Sequence, residues 1–222
     1  MGNKYVDYVT DEHFEECVKW VINGYTQKRD IRQNGVDAFK TIFDITQIKV
    51  DFEQWKVVEL KRSADKNISN KIGEFHQKLL GGVEGWCDLK IGDVADLSND
   101  SKTIFLELKN KQNTVKGADM IGLWKRLDKI TKNYPKSIAY WAYINSKDGS
   151  SGEDVWKYQN KSNPKVKKIW GKNIYELITG KKNALTETLY ALPKAISNVT
   201  DNSKILNIEN DENLTKWLND SF

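Results

Sequence analysis

Two cysteines, two histidines and three prolines are all that this chain of 222 residues has of those types. Cys17 and Cys87 cannot build a disulfide framework, and neither has a partner at metal-ligand spacing. With only His13 and His76 available, the sequence argues against a structural zinc site or a histidine-rich catalytic centre. A Ser-His-Asp or Cys-His site would have to use one of these two. Metal chemistry therefore has to rest on carboxylates, which favour hard ions such as Mg²⁺ or Mn²⁺. Long apolar runs are missing too. The longest uncharged stretch, Ser137–Ser146, has ten residues, too few for a helix across a bilayer. The N-terminus reaches Asp7 and Asp11 without an apolar signal region, and position 6 is Val rather than the Ser or Thr of a myristoylation signal. These absences predict a soluble, cytoplasmic protein with no membrane partner.

What is present is a globular composition: 39% hydrophobic residues, eight of them Trp, in 25.6 kDa, enough for one sizeable core. The excess of 35 basic over 31 acidic side chains permits a polyanionic partner without demanding one. Residues 1–70 read as helical. Asp11 is placed to cap a segment carrying Phe14, Cys17, Val18, Val21 and Ile22 at helical spacing. A second apolar stretch runs from Phe39 to Leu60, and the polar Lys61–Asn70 reads as a turn. A third helix then begins near Ser69 and stops at Gly81-Gly82. After Gly82 the texture becomes that of strands: Trp86–Ile91, Val94–Leu97 and Thr103–Leu108, the last two joined through the turn material Ser98–Lys102. A helix near Ala118–Lys132 follows, and the uncharged Ser137–Asn145 reads as a central, buried strand. That order predicts a mixed α/β sheet with a crossover helix. From Lys147 the chain reads as loop-rich, with Lys161, Lys165, Lys167, Lys168 and Lys172 interleaved with Trp156, Tyr158 and Trp170 as a candidate DNA-facing surface. Trp86 and Trp124 read as core.

The chemistry concentrates in Asp96–Lys109. Alternation along a strand puts Glu107 and Lys109 on one face, with Leu108 turned into apolar packing. A hairpin through Ser98–Lys102 brings Asp96 back beside them. Two carboxylates and an ammonium at a sheet edge suit metal-assisted phosphodiester hydrolysis. Asp96 and Glu107 would hold Mg²⁺, with the Leu108 carbonyl as a further ligand, while Lys109 orients and helps deprotonate the attacking water. The chain contains its own control. Glu59-Leu60-Lys61 repeats the Glu-Leu-Lys tripeptide in a helical stretch, where side chains two apart diverge, and reads as a solvated helical face. Residues Asn110, Lys111, Gln112, Asn113 and Lys116 follow the strand at once. Their amides and ammonium groups suit phosphates or base edges, although Asn113 or Thr114 would equally well cap the next helix.

The run Gly92–Gly117 resembles the PD-(D/E)xK nucleases, and more narrowly the type II restriction endonucleases that cut GGNCC or GGWCC-type sites. The matching pieces are Ile72–Gln77, Gly85-Trp86, Asp96-Leu97, Glu107–Thr114 and Tyr175–Gly180 followed by Ala184-Leu185. They span roughly residues 70–190. The resemblance implies a restriction-endonuclease-like mixed central β-sheet flanked by helices, in one domain over residues 1–222. That domain would have a helical part (1–70), a catalytic core (71–146) and a DNA-contacting C-terminal part (147–222). It also implies Mg²⁺-dependent cleavage of double-stranded DNA at a short palindromic site by a homodimer, with Mn²⁺ able to substitute and a cognate DNA methyltransferase as functional partner. Asp96, Glu107 and Lys109 would be catalytic and Asp96 and Glu107 the metal ligands. Glu74 stands as a possible extra carboxylate, and Gln77, Asn110, Lys111, Asn113 and Lys116 as DNA-binding residues. Gln77 could instead hold the hairpin, and His76 receives no catalytic role. No proline precedes Asp96, so Asp88 and Asp93 stay in competition for the first acid. Asp96 is preferred because it lies nearest the turn, eleven residues before Glu107. A structure-specific nuclease and a DNA-binding module with a dead site are the rival readings.

Overall fold

Capping chemistry sets the helix starts. In the computed structural model, which describes residues 3–27, 36–89, 95–202 and 205–221, helix α1 (Asp11–Thr26) is capped by Thr10. The Thr10 hydroxyl accepts from the His13 amide at 3.2 Å. Asp11, expected as the cap, lies inside the first turn and accepts from the Lys4 and Tyr5 amides instead. Asp37 caps α2 (Ala38–Ile48), and Asp51 forms a reciprocal capping box with Gln54 at the start of α3 (Phe52–Gly81). Helix α3 contradicts the expected turn: it runs unbroken for 30 residues straight through Lys61–Asn70. The stretch is polar but holds neither Gly nor Pro, so nothing in it breaks a helix whose outer face meets water. The stop at Gly81-Gly82 is where the sequence put it.

Among the described residues six strands form one sheet in the order β1-β2-β3-β4-β6-β5. They are β1 (Trp86–Asp88), β2 (Leu97–Asn99), β3 (Ile104–Lys111), β4 (Ile138–Asn145), β5 (Gly152–Val155) and β6 (Val166–Trp170). Strands β1, β2 and β3 are antiparallel, while β3, β4 and β6 run parallel. Helix α4 (Gly117–Asn133) crosses from β3 to β4. The uncharged β4 is central and buried, as its composition predicts. Residues 90–94, including the competitor Asp93, lie outside the described residues. The segment after Lys147 is not merely loop: β5 and β6 complete the sheet, and α5 (Lys172–Thr179), α6 (Ala184–Val199) and α7 (Glu212–Asp220) follow. Lysines obscured β6, because Lys167 is accommodated by pairing with Glu153 at 2.6 Å and Lys168 by lying over the Trp170 ring.

Alternation divides the core in two. Leu106, Leu108, Tyr140, Ala142, Ile144 and Ile169 pack on one face against α1, α3, α5 and α6. On the other, Phe105, Ala139, Trp141, Tyr143 and Val166 pack under Leu123, Trp124, Leu127 and Ile130 of α4. Trp156 belongs to this second core, with its ring 4.8 Å from Trp141, and Trp170 stacks on Tyr143. Trp156 is therefore core rather than part of an outward surface, while Tyr158 and Trp170 are half-buried against it. Among the described residues no helix is long and apolar enough to cross a membrane.

Candidate active site

Strand β3 pairs with β2 on one side and β4 on the other, and its register decides which side chains meet. Glu107 and Lys109 project to the α4 face together with their partners Trp141 and Tyr143. Asp96 enters β2, and its amide donates to the Leu106 carbonyl at 3.0 Å. Its side chain therefore falls on the same face as Glu107, one strand over. Asp88 pairs with Leu97, which pairs with Leu106, so it belongs to the opposite face.

The resulting cluster is tight. Lys109 Nζ lies 2.8 Å from Glu107 Oε1 and 3.4 Å from Asp96 Oδ2. The Leu108 amide donates to Asp96 Oδ2 at 2.7 Å, fixing the carboxylate. Arg126 reaches over from α4 to Glu107 Oε1 at 3.3 Å. Glu107 is the most enclosed, with 14% of its side chain exposed against 58% for Arg126. Burial pushes the Asp96 carboxyl above the usual carboxylate range, and the nearby Glu107 charge adds to the rise, partly opposed by Lys109. Crowding of two carboxylates in a partly desolvated place is what a divalent cation relieves. Asp96 Oδ1 and Glu107 Oε2 have no hydrogen-bond partner among the described residues, so each acid keeps one oxygen open. Two hard carboxylates fit Mg²⁺, which commonly takes one or two protein carboxylates and completes its shell with water and substrate phosphate. No third His, Cys, Asp or Glu gathers with them among the described residues.

The other predicted residues fall around this centre. Glu74 is exposed on α3 and has no hydrogen bond or ion pair to Asp96, Glu107 or Lys109. Gln77 reaches neither acid of the centre nor the hairpin but the end of β1, its Nε2 donating to Asp88 Oδ1 at 2.6 Å. Asn110 is clamped by Asn145, whose Nδ2 donates to both its carbonyl and its side-chain oxygen at 2.8 and 2.9 Å. Lys111, Asn113 and Lys116 are exposed; a single 3-10 turn at Gln112–Thr114 leads to α4, which has no side-chain cap from Asn113 or Thr114. With Lys125 and Lys129 on the outer side of α4, Lys111 and Lys116 form a basic rim with no acidic partner among the described residues. His76 Nδ1 pairs with the Tyr175 hydroxyl at 2.7 Å, a structural contact between two quoted motif pieces a hundred residues apart in the chain. Desolvation pushes the His76 ring down to about 4. Arg126 and Asn145 were not singled out from the sequence. Helical periodicity separates Arg126 from the apolar stripe of α4, yet only the crossover geometry says that it hangs over Glu107.

A mixed sheet that lifts an acid from a hairpin against Glu-x-Lys on the return strand, under a basic crossover helix, defines a restriction-endonuclease-like PD-(D/E)xK nuclease. Residues 6–201 match the family described as Eco47II restriction endonuclease, and the chain belongs to that family. It is 30% identical over 214 residues to the type II restriction enzyme Sau96I of Staphylococcus aureus, covering 88% of this chain and 81% of the relative. To the type II restriction enzyme Eco47II of Escherichia coli it is 34% identical over 207 residues, 86% of each chain. The protein is thus a type II restriction endonuclease, an enzyme of site-specific DNA cleavage in restriction–modification. Enzymes of this class act on double-stranded DNA and generally need a divalent metal ion.

Proposed function

We propose that Asp96, Glu107 and Lys109 carry out hydrolysis of duplex DNA, with Asp96 and Glu107 holding Mg²⁺ or Mn²⁺. The observation that carries this reading is the convergence of both acids on Lys109 Nζ, each with an open oxygen. A cation bound there supplies Lewis-acid stabilisation of the charge growing on the phosphate and acidifies water. The chain's own groups do the rest. Leu108 N–H keeps Asp96 in the orientation that presents its free oxygen. Lys109, whose ammonium lies between the two acids, would orient the attacking water and meet the scissile phosphate. Arg126, exposed above Glu107, has a guanidinium suited to bidentate contact with a phosphate. Lys111, Asn113 and Lys116 border the strand end as DNA contacts, with the rim lysines of α4 neutralising backbone charge. Asp96 rather than Asp88 is the first acid, because Asp88 belongs to the other face and is engaged by Gln77.

The resemblance of the Glu107–Thr114 region supports a GGNCC or GGWCC-type target, cut to 5′-phosphate and 3′-hydroxyl ends by a homodimer with one site per strand. A methyltransferase of the same specificity would protect the host's own DNA. Incubating unmethylated phage DNA with wild type and Lys109→Ala, each with Mg²⁺ or EDTA, tests this. A fixed ladder from wild type with Mg²⁺ alone is expected, and end sequencing gives the site. Fragments from Lys109→Ala, or cutting confined to branched DNA, would overturn the assignment.

A further inference from the structure

Strand β3 loses its neighbour on one side before it ends. Among the described residues β2 pairs with it only as far as Leu106, while β4 follows it to Lys111, whose register partner is Asn145. Lys109, Asn110 and Lys111 thus have a strand neighbour on the β4 side alone. Two contacts outside the ladder hold this end. Asn145 Nδ2 donates to the Asn110 carbonyl at 2.8 Å and to Asn110 Oδ1 at 2.9 Å. The Lys147 amide donates to Gln112 Oε1 at 3.1 Å. Asn145 is half-buried, whereas Lys111 is exposed. By alternation Lys111 continues the face of Glu107 and Lys109.

We infer that Asn145 is a positioning residue for DNA binding: its amide fixes the Asn110–Lys111 peptide and so aims the Lys111 ammonium at the phosphate backbone. This role for Asn145 rests on the proposed contact of Lys111 with DNA. Three features support it. The Asn110 carbonyl belongs to the planar peptide that leads into Lys111, so pinning that oxygen sets the direction from which the Lys111 side chain departs. A neutral amide suits the place, because it offers N–H groups to both Asn110 oxygens and adds no charge that would compete with a phosphate for the lysine. Asn145 also closes the buried central strand β4, a firm anchor for a strand end with one flank open. Lysine is a point charge on a flexible stem, and its grip on a phosphate weakens when the base of that stem wanders.

Fluorescence anisotropy on a labelled duplex of about 30 base pairs carrying GGACC, in EDTA so that nothing is cut, tests this over a series of salt concentrations. Lys111→Ala is expected to raise Kd about 10-fold and to lower the salt slope by about one for each chain bound. Asn145→Leu, similar in size but without a donor, is expected to reproduce most of both effects. The double variant should bind no more weakly than Lys111→Ala alone. Merely structural damage would shrink the fraction of protein that binds and leave the slope at its wild-type value. Circular dichroism checks folding, and Asn145→Ala replaces Asn145→Leu should the larger side chain prevent it. A folded Asn145 variant with the wild-type slope, or a double variant whose losses add in full, overturns the inference and leaves Lys111 as a DNA contact. A wild-type slope in Lys111→Ala removes that contact, and the positioning role with it.

Discussion

Two ion clusters in this molecule have the same ingredients. Asp44, Glu59, Lys40 and Arg62 join α2 to α3, and Asp96, Glu107, Lys109 and Arg126 join the hairpin to α4. Each takes its Glu from one of the two Glu-Leu-Lys tripeptides. In the helix, Glu59 and Lys61 point apart, and Glu59 finds its cations on other turns. In the strand, Glu107 and Lys109 are neighbours at 2.8 Å. Solvent makes the second difference. Asp44 accepts from Lys40, Arg62 and the Trp55 indole, which hold its carboxyl well below the usual range. Asp96 has fewer donors and is pushed upward by burial and by Glu107. One cluster is a satisfied surface staple, while in the other, burial and a neighbouring acid keep the Asp96 carboxyl raised despite its cations.

Exchanging the roles of the two clusters by mutation is the sharpest way to break that comparison. Glu107→Gln should abolish plasmid cleavage, by on the order of 10³-fold or more, while Glu59→Gln leaves the rate at wild type. Equal losses in a single-turnover assay would mean the clusters do not differ as described. Next in size, Arg126→Ala should slow cleavage about 10²-fold if its guanidinium meets the phosphate. The same change should let Mn²⁺ bind the DNA-free protein at lower concentration, since a competing cation has left Glu107. A calorimetric titration with unaltered Mn²⁺ affinity would argue against that competition.

His76 offers a pH test away from both clusters. Its folded value of about 4 lies below the unfolded 6.5, so it stays neutral in the fold and takes a proton on unfolding. Stability is then complete above about pH 6.5 and drains as pH falls toward 4, by at most about 2 kcal/mol between pH 7 and pH 5. Urea titrations at the two pH values should show this slope flattened in His76→Gln. The smallest effect is expected for Asp44→Asn, with cleavage unchanged and only a slight fall in Tm.

The comparison also explains what could be read in advance. The hairpin, the crossover helix and the uncharged β4 were legible because their periods and turn residues are local signals. Glu107 and Lys109 were legible because strand alternation puts them on one face, and Asp96 because a short turn returns its strand beside them. Polarity misled at Lys61–Asn70, since a solvated helix face and a turn have similar composition unless Gly or Pro decides between them. Lysines misled at β6, where the cross-strand partner Glu153 lies in a different segment. Arg126 and the Asn145 clamp on Asn110 depend on how a crossover helix and a neighbouring strand come to rest, which no single stretch of sequence records.

Helix α3 has a consequence of its own. Its 30 residues make a rod of about 45 Å, with α2 held at one end and the Gln77–Asp88 contact to β1 at the other. A rod of this kind works as a gear as much as a spacer. One residue inserted after Asp65 would turn α2 by about 100° relative to the sheet, and seven would bring it nearly back into phase. The angle at which α2 stands to the catalytic sheet is thereby written in the length of a single helix.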